Sequence, residues 1–241
     1  MKLIFIRHAE PDYSIDSLTE KGWLEAELLG KRVTLWPNIT EIYCSPLGRA
    51  KDTASFSLKA LHREAVIYDW LKEFSYPVID PVSGKERIPW DFYPSYWTSY
   101  PEAYIKDHWT DLSVMQSGDI ASKYKEVSTG IDSILHTYGY VRENGYYRVH
   151  STSVEKKEET LVFFCHLGVS FVMLGHLLGI SPFLLWHTAF VAPTSVTILG
   201  SEEREPGIAS FRIQTLGDTR HLSAVGEPIS SSGYFTDCFQ Y

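Results

Sequence analysis

Arg7, His8, Arg49, Glu73 and His166 are side chains of the types that bind and transform an anion, and each falls close to the end of an apolar run in this 241-residue chain. The first run, Leu3-Ile4-Phe5-Ile6, is too short to span a membrane and is bounded by the turn-forming Pro11, so it reads as a buried strand. It delivers Arg7 and His8 at its carboxyl end, which is where ligands bind in an open α/β sheet. A second continuous apolar run, Thr160 to Cys165, reads as a fully buried parallel strand. It places His166 ahead of an apolar helix expected from Phe171 to Leu178, where free backbone N–H groups favour an anion. Taken alone, Arg7-His8 is a common dipeptide and Arg49 reads as a solvated surface arginine. Glu73 reads either as surface decoration or as a carboxylate hanging over the pocket.

Composition bounds the rest. With 44% hydrophobic residues the chain can bury a real core, and its length suits one large α/β domain or two small ones. A net charge of −8 without a lysine–arginine cluster argues against nucleic-acid and anionic-membrane binding, so an anionic substrate needs a local basic pocket. Cys44, Cys165 and Cys238 are scattered and odd in number, which fits buried free thiols in a reducing compartment better than a disulfide framework or a metal site. The N-terminus has no signal-peptide pattern and no apolar run reaches the length of a span, so the expected location is cytoplasmic.

The elements that must position these residues alternate strand and helix. Thr19 reads as the N-cap of a helix running to Pro37, Glu41–Cys44 as a strand, and Ser45-Pro46 as the opening of a second helix, with serine as N-cap and Arg49 in the first turn. Ala65–Tyr68 is a third short strand, ahead of Glu73. From Ser75 to about Gln116, five prolines and a crowd of aromatics including Trp90, Trp97 and Trp109 mark a compact insertion that acts as a lid or subdomain. Its aromatics either glue it down or line the substrate pocket. A helix follows to Thr137, then a hairpin at about 138–150 around Asn144-Gly145. The charged run Glu155–Glu159 reads as a solvated loop, and Pro193–Leu199 and Ala209–Ile213 as further strands.

Arg7-His8-Ala9-Glu10, the run from Cys44-Ser45-Pro46-Leu47-Gly48-Arg49 to Ala54, Leu71-Lys72-Glu73 and Cys165-His166-Leu167-Gly168 together resemble the histidine phosphatase superfamily, the phosphoglycerate mutase-like fold, in its phosphatase branch. Leu18-Thr19-Glu20-Lys21-Gly22 and Leu216–Leu222 look like its supporting segments. The resemblance spans nearly the whole chain and implies one domain over residues 1–241: a three-layer α/β/α fold with a mostly parallel central sheet, to which the aromatic insertion and the hairpin are additions.

It also implies roles. Arg7 and Arg49 would hold the phosphoryl oxygens with bidentate guanidinium forks, and neutral His8 would attack phosphorus and become a phosphohistidine. His166, assisted by the backbone N–H of Leu167 or Gly168, would stabilise the charge that builds up in the transition state. No metal or other cofactor is expected, because two arginines and a second histidine stand in for the usual magnesium charge. Glu73 is the candidate proton donor, with Asp12, Asp69 and Glu10 as alternatives. His62, His108, His136, His150, His176, His187 and His221 lack such company and read as surface or satisfied core residues. The expected activity is hydrolysis of a small phosphorylated metabolite, by a monomer or homodimer. The alternatives are a phosphoglycerate mutase-type phosphotransferase, disfavoured by Lys72 and Phe74 around Glu73, and a non-catalytic phospho-ligand binding module. A sharper expectation is that the aromatic insertion, through Trp97, selects substrates with a planar or apolar portion.

Overall fold

The computed structural model describes residues 1–150 and 158–240. An eight-stranded sheet runs through it, built from β1 (Lys2–Arg7), β2 (Ile39–Cys44), β3 (Val66–Ile67), β4 (Tyr140–Glu143), β5 (Tyr146–Val149), β6 (Thr160–Cys165), β7 (Val196–Glu205) and β8 (Ile208–Asp218). The strand order is β3-β2-β6-β1-β7-β8-β5-β4. The half from β3 to β1 is parallel, and the strands beyond β1 add antiparallel.

Strand alternation sorts the core into two layers. On one face Ile4 and Ile6 of β1, Ile42 of β2 and Val162 and Phe164 of β6 pack with Leu29 and Val33 of α1 (Glu20–Val33) and Ala50 and Ala54 of α2 (Gly48–Leu61). On the other, Leu3, Phe5, Leu161 and Phe163 meet α3 (Ile120–Thr137), α4 (Leu167–Leu178), α5 (Pro182–Thr188) and the insertion. This is the three-layer α/β/α arrangement expected. The hairpin β4–β5 is held to the body by Asp132 of α3, whose carboxylate accepts from the Tyr147 hydroxyl at 2.7 Å, His176 Nε2 of α4 at 2.8 Å and Arg142 Nε at 3.1 Å.

Several element boundaries differ from the sequence-based expectation, each for a tertiary reason. Strand β3 shrinks to Val66–Ile67. Strands β7 and β8 run well past Leu199 and Ile213, because their outer halves are held by the backbone ladder and by β5 rather than by apolar burial. Thr19 does cap α1, accepting from Gly22 N at 3.0 Å. Ser45 does not cap α2: Leu47 stands at that position, and the Gly48 N–H instead donates to Asp16 Oδ2 at 2.7 Å. Helix α4 begins at Leu167, four residues earlier than expected, because the Glu73 carboxylate satisfies its first turn. Of the charged run, residues 155–157 lie outside the described residues, and Glu158 pairs with Lys2 at 3.1 Å.

The insertion packs on itself and on α5. It has a two-stranded hairpin (Val78–Ile79 with Glu86–Arg87) and four short helical turns between Pro94 and Gln116. Trp109 is fully buried edge-on against Trp186, Phe92 stacks on Phe183, and Trp97 sits 5.2 Å from His187.

Glycine matters at one close approach. A Cβ on Gly22 would lie 2.2 Å from the Glu10 carbonyl oxygen, so α1 can dock behind the segment that follows His8 only without a side chain there. Beside it, fully buried Glu25 accepts the Glu10 N–H through Oε2 at 2.8 Å, while Oε1 accepts no hydrogen bond and has Lys21 Nζ at 3.9 Å. Burial raises the Glu25 carboxyl from an ordinary 4.5 to about 7. The native state therefore binds a proton that the unfolded chain releases, so this group costs nothing below pH 4.5 and becomes progressively destabilising as pH rises toward 7 and above. Urea unfolding of Glu25→Gln should show a gain over wild type that is ~2 kcal/mol larger at pH 8 than at pH 5; a gain independent of pH would contradict this account of Glu25.

Candidate active site

The register of the parallel strands brings the two histidines together. Arg7 of β1 is level with Cys165 of β6, so the residues that leave the sheet next, His8 and His166, emerge side by side with ring centroids 5.0 Å apart. The His8 N–H continues the ladder to the Cys165 carbonyl at 2.9 Å, and Ser45 N–H does the same to Phe164 at 2.9 Å, which adds Ser45 to the group. His8 Nδ1 lies 2.7 Å from the Ala9 carbonyl, which places the proton on Nδ1 and leaves the Nε2 lone pair free. Burial, reinforced by the charge of Arg7, keeps the His8 pKa well below 6.5, so the ring is neutral and nucleophilic.

His166 is fully buried, and burial, then the charges around it, push its pKa well down as well. The Ser45 hydroxyl accepts the Leu47 N–H at 3.3 Å and turns its own proton to His166 Nε2 at 2.7 Å. The imidazole proton then sits on Nδ1, which has no partner.

Arg7 is buried, with Nη1 on the Val191 carbonyl and Nη2 on the Ser232 carbonyl, both at 2.8 Å. Arg49 is oriented by Asp16, Nη1 to Oδ1 at 2.6 Å. The Nε of each guanidinium is buried without an acceptor, like His166 Nδ1. Charges from both arginines act on both histidines, so one small pocket concentrates cationic charge and unpaired N–H donors around the His8 ring.

Glu73 arrives from the turn Asp69–Leu71 and lies against the start of α4, with Oε1 accepting from Phe74 N at 2.7 Å and Val169 N at 3.0 Å. Burial raises its pKa above 4.5 against the pull of these bonds, one from Gly168 N–H, and of Arg7. The expected anion at this helix N-terminus is thus the protein's own carboxylate, and Gly168 N–H serves Glu73; Leu167 opens the helix next to His166. The alternative acids are engaged elsewhere. Asp12 holds Ser14, Asp69 is exposed and pairs with Lys72, and Glu10 accepts from Thr19 and Ser230 hydroxyls.

The insertion contributes less to the pocket than expected. Trp97 packs among Tyr104, Phe183 and His187, whereas Trp90 is the insertion residue beside the acid: a Cβ on Gly168 would meet Glu73 Oε1 at 2.6 Å and Trp90 Nε1 at 2.9 Å. A separate groove of about 640 Å³ between α3 and the Tyr43, Tyr68 and Trp70 rings contains none of these histidines or arginines. Among the described residues no three His, Cys, Asp or Glu side chains converge as a metal site, and no helix is long and apolar enough to cross a membrane. The other histidines serve structure, His176 on Asp132 and His221 on Thr194, for example. Sequence reasoning missed Asp16, Tyr13, Phe190 and the Ser232 carbonyl, and it gave Ser45 the wrong partner. All five reach the site through loop geometry, for which short-range sequence patterns carry no signal.

Unpaired buried donors of this kind call for a tetrahedral oxyanion. Inorganic phosphate or vanadate should raise the Tm of the wild-type protein in a concentration-dependent way, and Arg49→Ala should abolish most of that shift. A shift of equal size in the variant would remove Arg49 from the anion site.

Residues 3–105 match the family model of the histidine phosphatase superfamily (branch 1). No curated protein sequence shows a match to the chain. Among solved structures, a phosphoserine phosphatase mutant from Entamoeba histolytica in complex with phosphoserine superposes with a TM-score of 0.59 at 19% identity, covering 92% of this chain and 98% of that one. A mycobacterial glucosyl-3-phosphoglycerate phosphatase gives 0.58 at 15% identity, with 90% and 98% covered. These similarities concern the fold. The segment matched by the family model holds Arg7, His8, Arg49 and Glu73. The chain therefore resembles the histidine phosphatase superfamily (branch 1) over residues 3–105 and shares its fold with these solved phosphatases.

Proposed function

We propose that the protein is a phosphomonoesterase that works through a phosphohistidine on His8. The observation that carries this reading is the set of buried donors without acceptors, Arg7 Nε, Arg49 Nε and His166 Nδ1, around an imidazole whose Nε2 is free. A dianionic phosphoryl group supplies the missing acceptors, and its phosphorus then faces a neutral nucleophile. The two solved relatives named above are phosphatases by their descriptions, which supports the same reaction class here.

His8 Nε2 attacks phosphorus in line with the ester oxygen, and the P–O bond breaks as the N–P bond forms. Arg7, Arg49 and His166 hold the three equatorial oxygens, whose charge is greatest as the bond pattern changes. Glu73, whose hold on a proton burial strengthens, acts as the acid that gives a proton to the departing alkoxide. The resulting carboxylate takes a proton from water as that water attacks phosphorus; the N–P bond breaks, phosphate leaves, and His8 returns to its neutral form. Asp16 and Ser45 position Arg49 and His166 without touching substrate. The substrate would be a small phosphate ester.

Hydrolysis of an alkyl phosphate with chelator present should disappear in His8→Ala. Glu73→Gln should lower kcat on that ester by roughly 10²–10³ but on p-nitrophenyl phosphate by less than about tenfold, because the nitrophenolate leaves without a proton. Equal losses on both esters would show that Glu73 is not the acid, and full activity in His8→Ala would remove the nucleophile.

A further inference from the structure

The rim of the pocket carries rings where a charge-binding wall would carry cations. Tyr13 lies over the Arg49 guanidinium at 5.4 Å from the ring centroid, and Phe190 over that of Arg7 at 5.6 Å. Tyr234, from the C-terminal segment that also sets the Ser232 carbonyl on Arg7, stacks on Phe190 with centroids 4.4 Å apart and planes at 14°. Trp90 stands beside Glu73, its Nε1–H donating to the Phe74 carbonyl at 2.8 Å. Tyr13 is 67% exposed and Tyr234 44%, so both offer ring faces to whatever extends from a bound phosphoryl group.

Charge tells the same story. Arg7 and Arg49 act on both His8 and His166, and Arg7 acts on Glu73. Two guanidinium groups match one phosphoryl dianion, and one of them is already shared with Asp16. Of the lysines nearby in sequence, Lys72 pairs with Asp69, Lys21 pairs with Glu227, and the charge of Lys51 acts on Cys44. A second anionic group on the substrate, such as the carboxylate of a phosphorylated hydroxy acid or amino acid, would therefore meet the carboxylates of Asp16 and Glu73 beside the two arginines.

We propose that this pocket selects phosphate monoesters whose leaving group is an uncharged aromatic alcohol, seated against the rim of Tyr13, Trp90, Phe190 and Tyr234. The inference rests on the phosphomonoesterase reading above and adds the substrate class. Ring-on-ring contact supplies the preference, and repulsion by Asp16 and Glu73 supplies the discrimination against carboxylate-bearing esters.

The test compares esters of similar leaving-group reactivity: benzyl phosphate, 4-carboxybenzyl phosphate, glycerol 2-phosphate and 3-phosphoglycerate, each with wild type and with His8→Ala. The expected result is a kcat/KM for benzyl phosphate about tenfold or more above those of glycerol 2-phosphate and 4-carboxybenzyl phosphate, and further above that of 3-phosphoglycerate. Tyr13→Ala and Phe190→Ala should each shrink the ratio of benzyl to glycerol ester several-fold; Tyr13 is exposed, so its variant keeps the test valid even where Phe190→Ala folds poorly. His8-dependent hydrolysis that is equal across the four, or that favours a carboxylate ester, overturns the substrate class while leaving the phosphatase reading intact. Absence of His8-dependent turnover on every ester overturns the phosphatase reading, and this inference falls with it.

Discussion

Buried N–H donors without protein acceptors are costly, about 1–3 kcal/mol for each neutral group and more for charged ones. This molecule keeps three of them, on Arg7, Arg49 and His166, within one pocket around His8. Everything else near the site is arranged to hold that cost in place. Arg7 is held in place by its two terminal nitrogens on the Val191 and Ser232 carbonyls, and Arg49 by Nη1 on Asp16. The imidazoles cannot join them as extra cations, since burial and the neighbouring arginines keep both rings neutral. The result is a preorganised field that an oxyanion satisfies in one step, with no charge of the protein's own to be displaced from the donors themselves.

Two carboxylates link this field to the scaffold. Asp16 satisfies the N–H of Gly48 at the start of α2 and grips Arg49; Glu73 satisfies Val169 at the start of α4 and lies within the influence of Arg7. Each acts as a helix cap delivered from a distant loop, so the helix termini that flank the pocket are neutralised and positioned at once. Their environments then separate them. Asp16 is half-buried and ion-paired with Arg49, whereas Glu73 is pressed against the helix start and Trp90, where burial raises its pKa above 4.5. Environment, rather than residue type, assigns one the task of orienting and the other that of proton transfer.

The aromatic insertion shows how a strong compositional signal divides between two tasks. Most of its rings bury one another and cover Phe183, Trp186 and His187, which is what anchors an excursion with so little regular structure. Only Trp90 reaches the acid. The rim is completed instead by rings from three separate loops, at Tyr13, Phe190 and Tyr234.

By itself the sequence determined the strands β1 and β6, the α1 cap at Thr19, the hairpin around Asn144-Gly145, and the identities of Arg7, His8, Arg49, Glu73 and His166 as a candidate set. These are local features: apolar periodicity, capping chemistry, and motifs a few residues long. Tertiary structure alone decided that Arg7 stands level with Cys165, so that two histidines 158 positions apart share a pocket, and that α4 begins four residues early on a carboxylate from another segment. It also decided that Ser45 serves His166 rather than a helix, and that Trp97 belongs to the core of the insertion. The physical reason is the same in each case. Burial, shifted acidity and hydrogen-bond partnership depend on neighbours brought together by strand register and loop closure, and a linear pattern records which groups are present but not which other groups they meet.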